Sequence, residues 1–166
     1  MEEVIKVGIA EYKLCRKPHK ITTIGLGSCV GIVLYSLTDE YCGLVHIMLP
    51  SSKEIINNSK RAKFADTGIE DLIHELEKKG VRKSSLIAKI AGGATMFQMG
   101  SNTVLSNSGM GSIGDRNVKS VKETLANYKI RIVAEDTGAD YGRTIVFDPT
   151  TRDLIIRSAG KSEKII

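Results

Sequence analysis

A cysteine behind two closely spaced glycines is the first place in this sequence where chemistry is legible. The segment Gly25-Leu26-Gly27-Ser28-Cys29 compresses the chain just before a thiol. Glycine accepts the backbone angles of a tight turn and lets another backbone approach closely. Such a turn can expose the sulfur and aim backbone N–H groups, those of Gly27 and Ser28 among them, at one point. Donors so placed would hold an oxyanion, each worth roughly 2.7–4 kcal/mol in the transition state. The same pattern also fits a glycine-rich turn around a buried, inert cysteine, since free cysteine is among the most buried residue types.

A thiol with a pKa of about 8.5 is only a few per cent ionised at neutral pH, so a nucleophilic Cys29 needs a base. Three histidines are available. His19 lies in the basic stretch 16–20, and His74 falls on the polar side of a helical stripe. His46 alone sits in an apolar strand, one hairpin connection from the strand after Cys29. A structural core histidine is the alternative there. A catalytic imidazole is oriented by a partner on its second ring nitrogen. Thr23, in the strand before the turn, is near the site but a weaker partner than a carboxylate. Asp39 and Glu40 lie in a polar turn. Chemistry alone leaves that choice open. Metal is the competing use of these residue types. Cys42 and His46 do not converge at i, i+4 on a strand, and no Cys-x-x-Cys occurs.

The elements that must position these groups follow from periodicity. Residues 4–9 alternate as a strand does, and 22–37 read as strand, tight turn and strand. Residues 43–49 form another strand, closed by Pro50. It puts Leu44, His46 and Met48 on one face and Val45, Ile47 and Leu49 on the other. A polar loop spans 51–65. Thr67-Gly68-Ile69-Glu70 then predicts a capping box, and Ile69, Leu72, Ile73 and Leu76 an apolar helical stripe, with Gly80 as the stop. Residues 85–91 predict a buried strand. A second helix is expected from Asp115, with Val118, Val121 and Leu125 inside. A strand at 130–134 and a hairpin of 144–147 with 154–157 complete the reading. Cys15 and Cys42 are expected in the core. Many strands and two or three helices, in no regular βαβ rhythm, predict an α+β layered domain over 1–166 with a short flexible tail from about 159. Residues 92–117 stand apart: half are Gly, Ser or Asn, and Met96, Met99 and Met110 fall there. That composition fits an adaptable binding surface or a loose connection anchored by methionine.

Composition sets the outer bounds. The 166 residues are 42% hydrophobic and 26% charged, which excludes disordered, collagen-like and coiled-coil chains. No apolar run nears the ~18 residues of a spanning helix, and Met1-Glu2-Glu3-Val4 opens no signal peptide. Three cysteines make no disulfide framework, so a reduced, cytoplasmic protein is expected. The net charge of +5 suits an acidic protein partner. Nucleic acid fits the charge but not the 5% aromatic content or the acids beside most basic clusters.

Thr23-Ile24-Gly25-Leu26-Gly27-Ser28-Cys29-Val30, followed by Val45-His46-Ile47-Met48-Leu49-Pro50, resembles the CheD family of chemoreceptor glutamine deamidases. Further matching segments are Lys63-Phe64-Ala65-Asp66, Gly92-Gly93-Ala94-Thr95-Met96-Phe97, Ile113-Gly114-Asp115-Arg116-Asn117, Glu135-Asp136-Thr137-Gly138 and Gly142-Arg143. The likeness runs from about residue 4 to 157. Ala139 and Arg152 depart from it, standing where glycine is common. The resemblance implies a Cys-His-Thr triad on Cys29, His46 and Thr23. It implies packed mixed sheets with helices outside, like toxin-type cysteine deamidases. It implies conversion of glutamines on methyl-accepting chemotaxis receptors to glutamate, with ammonia released and some methylesterase activity chemically open to the same thioester. The route needs no metal or organic cofactor. The implied partners are receptor cytoplasmic helices and, where present, the CheC phosphatase, the free protein being a monomer. The alternative is a regulatory module that acts on CheC without catalysis.

Overall fold

A computed structural model describes residues 2–54, 60–96 and 111–166. Its strands make two five-stranded sheets. The first has the order β1 (Val4–Lys6), β3 (Lys20–Leu26), β8 (Arg143–Asp148), β9 (Asp153–Arg157) and β10 (Lys164–Ile165). The second has the order β2 (Tyr12–Arg16), β5 (Tyr41–Ile47), β4 (Val30–Tyr35), β6 (Ile87–Gly92) and β7 (Arg131–Thr137). The β1–β3 and β6–β7 pairs are parallel and the rest antiparallel. Two helices, α1 (Ala65–Lys78) and α2 (Ile113–Asn127), lie on the outer face of the second sheet. The α+β layered class expected from the sequence is the one observed.

The second sheet is therefore covered on both faces, which explains why β4 and β5 read as nearly continuous apolar runs. Alternation sorts their side chains. Val30, Ile32, Leu34, Val45 and Ile47 meet Ile69, Leu72, Ile73 and Leu76 of α1 and Val121 and Leu125 of α2. Val33, Tyr35, Cys42 and Leu44 point the other way, onto Ile21, Leu26, Ile145, Phe147 and Leu154 of the first sheet. Cys15 and Cys42 are buried, as expected, and stand opposite each other on β2 and β5.

Several local expectations are corrected. The strand at 4–9 stops at Lys6, because the chain turns at Ala10, whose φ is +60°. The edge strand β2 was not legible, because its exposed residues, Lys13 and Arg16, fall on opposite faces and break the alternation. No capping box forms at Thr67, since α1 already begins at Ala65. The Thr67 hydroxyl donates to the Arg61 carbonyl at 2.6 Å, and Glu70 pairs with Arg61. The carboxylate at this helix start is that of Asp66, which accepts from the Thr67 N–H and from Ser52. α2 begins two residues before Asp115, capped by the Ser112 hydroxyl accepting from the Asp115 N–H. The segment expected as a flexible tail carries β10, and the Ile166 carbonyl accepts from Leu154 N–H and Lys89 Nζ. Ala139 and Arg152, the two departures from the glycine pattern, both have left-handed φ, +60° and +67°. Met99 and Met110 lie outside the described residues.

Candidate functional site

The layer between the two sheets holds the candidate triad. Thr23 belongs to β3 of the first sheet and His46 to β5 of the second. Their side chains meet across the gap, Thr23 Oγ1 lying 2.7 Å from His46 Nδ1. Both are buried, at 1% and 0% exposure. Thr23 Oγ1 is also 2.8 Å from the Val7 carbonyl oxygen, which can only accept. A hydroxyl has one hydrogen. It therefore goes to Val7, and Thr23 accepts from His46 Nδ1–H. This network assigns the tautomer. Nε2 is left as the bare lone pair, and it is buried with no hydrogen-bond partner among the described residues.

Cys29 follows the β3–β4 turn and packs against the same inter-sheet cluster. In register, Gly31 faces His46, so Cys29 stands one diagonal step away on that face. The turn is built by backbone contacts. Gly25 has φ +78°, and the Gly27 N–H donates to the Gly25 carbonyl at 3.1 Å. The Gly27 N–H is thus used inside the turn itself. The Cys29 carbonyl accepts from Gly93 N–H, and a methyl at Gly92, where φ is +112°, would overlap that oxygen. Gly27 leaves room for Met96, which is half-exposed, and Ile24 is exposed nearby on the irregular end of β3.

The other candidates are elsewhere. His19 accepts at Nδ1 from the Glu3 N–H rather than standing free in solvent. His74 is exposed on α1, as its polar position predicted. Asp39 accepts from Ser36 at 2.5 Å and stays in its own turn. Arg61 pairs with Glu70 and Asp71, so its charge is locally balanced. Among the described residues no group of three or more His, Cys, Asp and Glu side chains could hold a metal ion.

Two supporting groups escaped the sequence reading. Asn117 of α2 is fully buried and donates from Nδ2 to the Ser28 and Met48 carbonyls, each at 2.9 Å. Its signal was its position on the buried stripe with Val121 and Leu125, where a polar residue must find partners. Arg143 of β8 pairs with Asp136 of β7 at 2.9 Å, their side chains 1% and 10% exposed. Burial alone would raise the Asp136 carboxyl. Hydrogen bonds from Lys164 and Arg143 outweigh it and hold the group below its ordinary range.

Burial pushes the His46 pKa down to about 4 and pushes the Cys29 thiol up. Near pH 7 the pair is neutral. For stability the sign is definite. Between pH 6.5 and 4 the unfolded chain protonates this histidine and the native state does not, so stability falls as pH falls. The slope rises from half of about 1.4 kcal/mol per pH unit at pH 6.5 toward that full value, so the part lost between pH 6.5 and 5 is about 1.6 kcal/mol. His46→Gln should remove that part of the slope in urea titrations at the two pH values. Equal losses for variant and wild type would refute the assignment.

A family profile described as CheD chemotactic sensory transduction matches residues 48–158. The chain belongs to the CheD family. The profile match begins after His46, but full-length relatives cover the whole site. A protein of Lachnoclostridium phytofermentans named "Probable chemoreceptor glutamine deamidase CheD" is 52% identical over all of both chains. One of Halalkalibacterium halodurans named "Chemoreceptor glutamine deamidase CheD" is 46% identical, again over all of both chains. A protein of Methanosarcina acetivorans named "Probable chemoreceptor glutamine deamidase CheD 1" is 44% identical over 98% of this chain and 97% of its own. No helix among the described residues is long and apolar enough to cross a membrane.

Proposed function

We propose that this CheD protein hydrolyses specific glutamine side-chain amides of chemotaxis receptors to glutamate, releasing ammonia. The observation that carries the reading is the Thr23–His46 bond, which leaves Nε2 a buried lone pair, without a partner among the described residues, in the layer that holds Cys29. His46 Nε2 takes the thiol proton as Cys29 Sγ attacks the glutamine Cδ. The Cys29 N–H, and that of Ser28, face the developing oxyanion. Protonated His46 then gives that proton to the departing ammonia. Water, activated by the regenerated base, then cleaves the thioester. A glutamate methyl ester would enter by the same acyl-enzyme, giving a minor methylesterase activity.

Exposed Ile24 and Met96 flank the turn and offer an apolar rim to a receptor helix. The receptor glutamines lie on cytoplasmic helices, so the protein acts in the cytoplasm, as a monomer when free. Binding to the CheC phosphatase, where it is present, belongs to the same reading. Intact-mass analysis of a receptor cytoplasmic fragment incubated with the protein tests it. Each hydrolysed amide adds about one dalton and releases one ammonia, as a thioester route requires. An unchanged mass over a full day at micromolar enzyme would reject the activity.

A further inference from the structure

The Asn117 amide lies outside the triad, yet it ties together the two segments that carry it. Its Nδ2 donates to the carbonyl of Ser28, the residue before the thiol, and to that of Met48, two residues after His46. Both acceptors are carbonyls, which fixes the amide's orientation, and Oδ1 is left buried with no partner among the described residues. α2 reaches this depth because Gly114 packs directly on the Gly93 and Ala94 carbonyls, where a side chain would not fit. The Ser28–Cys29 peptide is planar, so its C=O and N–H point in opposite directions. Holding the Ser28 oxygen toward α2 turns the Cys29 N–H away from the helix, into the inter-sheet layer where the sulfur lies.

We infer that Asn117 is a positioning residue that holds the Ser28–Cys29 peptide with its N–H aimed at the oxyanion of the tetrahedral intermediate. The inference rests on the deamidase reading. It separates two reactions of the same cysteine. Amide hydrolysis passes through an oxyanion, whereas alkylation by iodoacetamide is a direct displacement at carbon and has none. Asn117→Leu keeps the approximate shape and removes both donors. Its kcat for ammonia release from a receptor fragment should fall about 10²–10³-fold, the loss of one oxyanion donor, with KM little changed. Its Cys29 alkylation rate, followed by mass across pH 6–9, should stay within threefold of wild type with the same pH profile. Asn117→Ser retains one donor and should fall between; if the leucine variant does not fold, a tenfold or greater kcat loss in the serine variant with unchanged alkylation is the expected result.

Ammonia release within threefold of wild type in a folded variant would overturn the inference. So would a parallel fall in both rates, which would mark Asn117 as merely structural. A wild-type protein that alkylates at Cys29 but releases no ammonia would instead sink the deamidase reading, and this inference with it.

Discussion

Cys29→Ala is expected to lower ammonia release by 10⁴-fold or more while leaving the fold intact. The size follows from what remains. Without a nucleophile, only substrate binding and oxyanion donors act, and such residual machinery supplies about 10³–10⁴-fold over water, far below a full triad. The stability cost is small, about 1 kcal/mol or less, because Cys29 is only half-buried and removing its sulfur leaves no polar group stranded. Members of a unit that acts together are not additive. Cys29→Ala combined with His46→Gln should therefore be no slower than Cys29→Ala alone. Assays would compare the three proteins on one receptor fragment, with near-ultraviolet circular dichroism as the folding control. A Cys29→Ala protein within tenfold of wild type would eliminate the thioester route.

The parts of this site that sequence made visible are those with local signatures. Two glycines before a cysteine mark a turn. A histidine inside an alternating apolar strand marks a buried imidazole. The alternation of 43–49 placed His46 and Leu44 on one face, and the inter-sheet layer bears that out. What stayed hidden depends on which sheet meets which. Thr23 was one of several orienters because nothing local says that β3 and β5 belong to facing sheets. The tautomer rests on the Val7 carbonyl, 16 residues from Thr23. The Gly27–Gly25 contact inside the turn was not visible either, because it depends on the left-handed φ that Gly25 adopts. The capping box failed for a similar reason: the residues match, but Thr67 is drawn to Arg61 and the helix starts earlier.

Arg143→Met should produce the largest loss of stability of any single change described. Arg143 donates to Asp136 and to the Gly138 carbonyl at 3.0 Å, and its guanidinium lies 4.5 Å from the Tyr141 ring centroid. The ion pair joins β8 of one sheet to β7 of the other. Breaking a buried pair by removing one partner costs about 3–5 kcal/mol, because the remaining charge stays out of water. Lys164 still holds the other Asp136 oxygen at 2.9 Å, which places the expected loss at the lower end. For a chain of this length that is roughly 6–12 °C in Tm. Asp136→Leu added to Arg143→Met should recover part of it, since an apolar pair removes the stranded charge. The effect reaches the site through backbone alone. Gly138 N–H donates to the Gly92 carbonyl and Thr95 N–H to the Ala139 carbonyl, and the Gly92–Gly93 turn in turn seats Cys29. Arg143→Met should therefore lose activity at a lower temperature than it unfolds, as that turn loosens first. Urea and thermal melts beside activity-temperature curves separate the two. A Tm within 2 °C of wild type would show that the Arg143–Asp136 pair does not hold the sheets together.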